Sequence, residues 1–447
     1  MDSLEYQGFW RIPGKPQTIP GSLKFSGTQG GTLELLGTFD AITQVQDATQ
    51  HEIIQGYTPD GKNITLYKCI RIHTSLSQPG YFTTKYYVNV IFIGVLFNNS
   101  QNITFRSISI NFLNLHEWLG LNFLAYKHNK SKKEYVMKYK IPTHRKIPVD
   151  DTLSLLIDFN FNVSTTRTHG TMRQTPYLKL EYNCETHFDE FFRKIYQLQN
   201  FLTFSINAAV YPIMVHGFSK KYESTFQNQV IPTKIEVLFR THTPKDQKFN
   251  PYLILFDYTE ISRKFKTIIK AWFRYAEKYQ SIIDLYFGTF YQHEMYAIHR
   301  FLTLINSLEG YHRLRFGERT ELPARKYEKM LQGILSKISN RYYKKWLIDE
   351  LKYANEITLR KRIKEIITRI GYIEISGGSK QQLIDKIVNT RNYYTHYDET
   401  LKNKAAKGIE LHHLNNKLNI AFQLCLMSDL KIPVNQRVKE NLNKIFN

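Results

Sequence analysis

The chain has 447 residues, 42% of them apolar and 14% aromatic, with 61 basic and 39 acidic residues and a formal net charge of +22. That much apolar surface excludes an intrinsically disordered chain, and the length suggests two or three domains. Residues 246–447 hold 35 Lys and Arg against 21 Asp and Glu, and the first 245 hold 26 against 18. A basic domain attracts polyanions such as RNA, DNA or an anionic membrane, although an AT-rich coding sequence gives the same Lys, Asn, Ile and Tyr bias. Cys69, Cys184 and Cys425 form no CxxC pair, so neither a zinc knuckle nor a disulfide framework is indicated, which suits a reducing cytoplasm. MDSLEYQGFW lacks the pattern of a signal peptide. VNVIFIGVLF, at 88–97, is too short to cross a bilayer as a helix and reads as a buried strand.

The first half reads as short strands. GSLKFSG and GGTLELLGTF alternate and are separated by glycines, and HEIIQGYT-PDGK-NITLYKCIRI reads as a hairpin turning at Pro59, Asp60 and Gly61. TTKYYVNVIFIGVLF, ITFRSISINFL, KEYVMKYKI, LSLLIDFNF and TPYLKLEYN continue the pattern, which suggests a sandwich or a strongly bent sheet. A helix capped by Thr186 follows, then the strands PIMVHGF and TKIEVLFRT.

HTPKDQKFNP, at 242–251, is polar with prolines near both ends and reads as a domain boundary. After a strand-like LILFDY the chain turns helical. SRKFKTIIKAWFRYAEKYQSIIDLYFGTFY reads as one long amphipathic helix, and six more helical patterns follow, which implies an antiparallel bundle. The expected fold is α+β in two domains: an antiparallel, sandwich-like β-rich domain over 1–245 and an all-α domain over 246–447.

One helix carries unusual polar residues. Gly377 and Gly378 break the preceding segment, and Ser379 with Gln382 matches a capping box, so the helix should begin near Lys380. With Arg391 at zero on a helical wheel, Ile384, Val388, Ile387 and Leu383 fall at about 20°, 60°, −40° and −80°. Arg391 thus lies on the apolar arc, with Asn392 and His396 at its edge. An arginine there pairs with a carboxylate such as Glu309, or faces a groove or a partner chain. In the first case His396 is a helix C-terminal cap.

Arg391-Asn392-Tyr393-Tyr394-Thr395-His396 resembles the R-[polar]-x3-H motif of HEPN domains, helical bundles that often act as metal-independent ribonucleases. WRIPGK, IPGSLKFSGTQGGTLELLGTF and the strands after them are similar to the N-terminal domain of ApeA-like abortive-infection proteins of bacteria. In those proteins that domain precedes a HEPN domain, whose core here would span about 290–435. The resemblance implies RNA cleavage that halts an infected cell, a homodimer through the HEPN domain, and a β-rich domain that senses infection or restrains the enzyme. A phage-derived activator would act on that domain. Toxin-type members carry a tyrosine two residues after the histidine. Asp398 stands there instead, placed to hydrogen-bond His396.

The sequence has no HExxH, no supported DxD and no Walker loop, and His412-His413 lacks ligand spacing and reads as ordinary helix residues. No cofactor or metal is expected, and metal-free phosphodiester cleavage is the natural hypothesis. The RNA 2′-hydroxyl serves as nucleophile, His396 as general acid/base and Arg391 as phosphate clamp, while Asn392 orients His396 or binds phosphate. Tyr393 and Tyr397 could stack on bases, with core packing as the bland alternative; Lys344, Lys345, Arg360 and Arg362 could line an RNA path, with a solvated helix face as theirs. Transfer RNA is a reasonable substrate because cutting it stops translation. The alternatives are a non-catalytic RNA- or nucleotide-binding module and a bundle that only dimerises.

Overall fold

The structure, a computed structural model, describes residues 3–40, 50–76, 80, 82–226, 229–241, 250–292, 294–317, 319–371 and 377–446. Most of the segment read as a boundary, residues 242–249, lies outside them. Two compact units result, Met1–Phe273 and Arg274–Asn447.

The first unit opens with β1 (Leu4–Arg11), β2 (Thr18–Ser26), β3 (Gly30–Leu35), β4 (Gln50–Tyr57), β5 (Asn63–Leu76) and β6 (Phe82–Ile93). Each pairs antiparallel with its neighbours in the order β6-β3-β2-β1-β4-β5, and β5 pairs again with β6. The six strands therefore close into a barrel, not a sandwich. Along its other edge β6 is shared between the barrel and the sheet beyond it. Its residues 84–88 pair with β3, while residues 90–93 pair with β16 (Ile235–Phe239). A closed sheet leaves no unpaired edge to shield.

Trp10, Leu23, Leu33, Ile54, Leu66 and Tyr86 fill the barrel. Gly56 is required by Trp10: a Cβ at that position would lie 2.3 Å from the indole ring, whose Nε1 donates to Gly21 O.

From β16 the sheet runs on through β13 (Pro212–Phe218), β7 (Thr104–Phe112), β12 (Gly170–His187), β11 (Leu153–Thr165) and β10 (Arg145–Pro148). Two side hairpins complete the strands: β8 (Leu124–Asn129) with β9 (Glu134–Tyr139), and β14 (Glu223–Phe226) with β15 (Gln229–Pro232). Helix α1 (Leu115–Leu119) is short, and α2 (Phe188–Ile206) lays Phe188 against Phe92 and Phe105 of the sheet. The cap of α2 is His187, whose side chain accepts from Asp189 N, one residue after the expected Thr186.

The unit boundary lies at 273/274 rather than 245/246. Residues 250–273 pack onto the first unit: Tyr258 meets Trp118, Phe256 meets Phe201, and Trp272 Nε1 donates to Gln197 O. LILFDY is not a strand; it enters from a 3₁₀ turn at Pro251–Leu253 and leads into α3 (Tyr258–Ile261). The long pattern expected after it breaks at Tyr279, with ψ of 29°, into α4 (Phe265–Lys278) and α5 (Gln280–Tyr291).

The second unit continues with α6 (Ala297–Phe316), α7 (Ala324–Ser336), α8 (Arg341–Leu351), α9 (Leu359–Ile370), α10 (Gly377–His396), α11 (Gly408–Asp429) and α12 (Gln436–Phe446). Helix α6 packs against α5, α9 and α11. Tyr286 of α5 stacks on Phe422 of α11 at 4.0 Å. A polar hub joins three helices: buried Asp429 of α11 accepts from Tyr311 Oη and Arg315 Nε of α6, and from Arg369 Nη2 of α9.

Candidate active site

Helix α10 begins at Gly377, three residues earlier than expected, so Ser379 sits inside its first turn and is not the cap. Ile384, Ile387, Val388 and Thr390 are buried, as the wheel implies. Arg391 is only half-buried, and His396, in the last turn, is exposed. The guanidinium therefore needs no buried counter-charge. Glu309 pairs instead with Arg313 and, at 3.9 Å, with Arg362.

The motif folds onto itself. Arg391 Nη1 lies 3.1 Å from His396 Nε2 and donates to Asn392 Oδ1 at 3.2 Å. An arginine has donors only, so Nε2 accepts and the ring proton sits on Nδ1. Asn392 thus holds the arginine and not the histidine. Both hydrogens of Nη1 are used. The Nε/Nη2 edge, the side of a guanidinium that binds two oxyanion oxygens at once, meets no protein acceptor among the described residues.

The end of the helix is built to present this pair. Tyr397 follows with φ of 52°, turning the chain out of the helix while its N–H still donates to Tyr393 O. Asp398 does not reach His396 as a hydrogen-bond partner; its Oδ1 accepts from Thr400 N and Oγ1. The Thr400 hydroxyl and N–H hold that carboxyl below its ordinary range, with a smaller contribution from His396.

Two contacts anchor the turn below: Thr390 Oγ1 accepts from Ala406 N, and Tyr394 Oη donates to Ala406 O. The sequence reading missed both, and missed Lys407, whose Nζ sits 5.3 Å from the centre of the Tyr393 ring. Thr390 could have been found, since the wheel puts it beside Leu383 on the apolar arc. Tyr393 is half-buried and Tyr397 is exposed.

The remaining sites part company. Lys344 and Lys345 are exposed on α8. Arg360 is tied to Asp385 of α10, whose carboxyl it holds low. Arg362 is 3% exposed and belongs to the core: Nε donates to Ile357 O and Nη1 to Nδ1 of buried His312. His312 Nε2 in turn lies 2.8 Å from Glu365 Oε2. Arg362 therefore cannot lie on an RNA path. Its place was legible, for it stands four residues before buried Ile366.

His412 and His413 are both exposed, and no group of three His, Cys, Asp or Glu side chains among the described residues could hold a metal ion. None of the described helices is long and apolar enough to cross a membrane.

Two family models match the chain, ApeA N-terminal domain 1 over residues 5–272 and Apea-like HEPN over residues 302–436. The chain belongs to the ApeA-like family. The HEPN match contains the whole Arg391–His396 motif and indicates ribonuclease-type or RNA-binding function in defence. The ApeA match ends within one residue of the boundary between the two compact units. No curated protein and no solved structure matches the chain.

Proposed function

We propose that the chain is an anti-phage, abortive-infection endoribonuclease that cuts RNA without a metal ion, at the end of α10. The observation that carries this reading is the Arg391–His396 contact of 3.1 Å on an open surface, with the arginine's Nε/Nη2 edge left over. Arg391 clamps the scissile phosphate through that edge and offsets the charge of the pentacoordinate state. Asn392 keeps the guanidinium in register. In its neutral form His396 carries its proton on Nδ1, and the imidazolium formed once Nε2 has taken a proton is the acid that protonates the leaving 5′-oxygen. Nε2 becomes a base when Nη1 turns from it to the phosphate.

The 2′-oxygen attacks phosphorus as its proton passes to the base, and the P–O5′ bond breaks as the acid supplies a proton. The products are a 2′,3′-cyclic phosphate and a 5′-hydroxyl. Two copies meeting through the HEPN domain would bring two histidines to one groove and divide the acid and base roles. Transfer RNA fits as substrate because its cleavage stops translation. The β-rich unit senses a phage-derived activator or restrains the nuclease, since an unchecked ribonuclease would harm its host. The reaction would take place in the cytoplasm, where both RNA and phage components are present.

The test is product chemistry. Purified chain incubated with transfer RNA and EDTA should yield 5′-hydroxyl ends, and RNA with a 2′-deoxy residue at the cut position should resist. Ends with 5′-phosphate and 3′-hydroxyl would refute the mechanism. Binding without cleavage, under conditions where the protein protects cells, would favour a non-catalytic module.

A further inference from the structure

Helices α7 and α8 stand out from the rest of their unit. Among the described residues from 319 to 356 none is fully buried, whereas α6, α9 and α11 each bury a face. The hairpin is closed at its neck: Thr320 bridges to Glu356, Glu321 N donates to Asn355 O, and the Asn355 side chain brackets Leu322. Tyr327 Oη donates to Leu351 O, tying the start of α7 to the end of α8. Tyr327, Leu331 and Leu335 of α7, Ile338 in the turn and Leu347 and Leu351 of α8 are half-buried.

The outer side of α8 is chemically distinctive. On a 100° wheel, Tyr342, Lys345 and Trp346 share the arc opposite Leu347 and Leu351. Tyr342 is 75% exposed and Trp346 56%. The other three tryptophans, Trp10, Trp118 and Trp272, are fully buried. Arg341 flanks the strip at about 100° from Tyr342, whereas Lys344 falls beside Leu351 on the other side of the helix, and no carboxylate among the described residues forms an ion pair with Arg341 or Lys345, although Asp349 lies on the same arc one turn on. Residues 324–353 carry eight Lys and Arg against three Asp and Glu.

We infer that the outer face of α8 is a docking platform for single-stranded RNA, with Tyr342 and Trp346 stacking on unpaired bases and Arg341 and Lys345 holding the phosphates between them. Aromatic faces interleaved with unpaired cations are the arrangement that grips single strands without regard to sequence, since every base has a π-face. A second copy of the chain is a poorer occupant, because two such basic faces would repel. This inference rests on the ribonuclease reading and extends it: the platform holds substrate away from the cutting residues.

The experiment uses the full chain carrying His396→Ala, so that the probe survives. A fluorescein-labelled oligouridine of 15 nucleotides is titrated and followed by anisotropy. Tyr342→Ala with Trp346→Ala should weaken binding roughly tenfold or more, while Trp346→Phe alone retains it. Arg341→Ala with Lys345→Ala should lower the slope of log K against log salt by about 1.4. An RNA duplex of equal length should bind more weakly than the single strand. Unchanged melting temperatures exclude a folding defect, as expected for exposed positions. If the parent binds and the hairpin variants bind equally well, the platform is refuted and the ribonuclease reading stands. If the parent binds no RNA even at low salt, both fall. If the variants keep RNA binding but turn a dimer into a monomer by sedimentation, the face holds a second copy and the platform is refuted.

Discussion

Arg391 Nη1 and His396 Nε2 lie 3.1 Å apart near the C-terminal end of α10, and Asn392 Oδ1 lies 3.2 Å from the same nitrogen. One face of the guanidinium is spent on holding the motif together and the other remains for a phosphate. Substitution should therefore separate chemistry from folding. His396→Ala should lower cleavage by about 10²–10⁴-fold, because a positioned acid or base contributes that much, and Arg391→Ala by about 10²–10³-fold, the usual loss when a donor to the transition-state charge is removed. Thermal melts should barely move, since Arg391 is half-buried and His396 exposed. Arg391→Lys should not rescue, because an ammonium cannot contact histidine, asparagine and two phosphate oxygens in one plane.

Asn392→Ala makes a finer test. If Asn392 holds the arginine, the variant should bind RNA more weakly and leave the pH profile of cleavage unchanged. If it orients His396, the profile should shift.

Asp429 is 6% exposed in its side chain and takes Tyr311, Arg315 and Arg369 together. Asp429→Ala should destabilise the HEPN unit by about 3 kcal/mol, the lower part of the range for breaking a buried ion pair, because both arginines retain some access to water. Chemical denaturation measures it.

Gly56→Ala tests the barrel. The new Cβ would meet the Trp10 indole at 2.3 Å, and over-packing of this kind costs about 1–3 kcal/mol. If the N-terminal unit is a brake, this variant should be more toxic than wild type in uninfected cells. If the unit is only a sensor, protection should fall without added toxicity.

His216 links stability to pH. Burial, and then the charge of Lys234, push its imidazole down to about 4. The folded state thus refuses a proton that the unfolded chain accepts near pH 6.5. Stability should fall as pH drops through 6.5 and level off below about 4, and His216→Leu should flatten that slope in melts across the same window.

The strands of the first half were legible because glycines and turn residues separate alternating runs, as at Thr58–Lys62 between β4 and β5. Barrel closure was not, because it rests on the pairing of β1 with β4 and of β5 with β6, which alternation within one strand does not specify. The motif on α10 was legible from its wheel, but the wheel overstated the burial of Arg391, since it does not show where the bundle ends. Arg362 shows the opposite error: a basic run at 360–362 looked like surface, yet its third member lies on the buried face of α9.

The central claim is that the residues around Arg391 and His396 cut RNA during infection. The most direct measurement is sequencing of RNA 5′-hydroxyl ends in phage-challenged cells expressing wild type, Arg391→Ala or His396→Ala at matched levels. The account predicts new ends and protection with wild type, and loss of both together in each folded variant. Protection by the folded variants, or protection by wild type with no new ends, would contradict it.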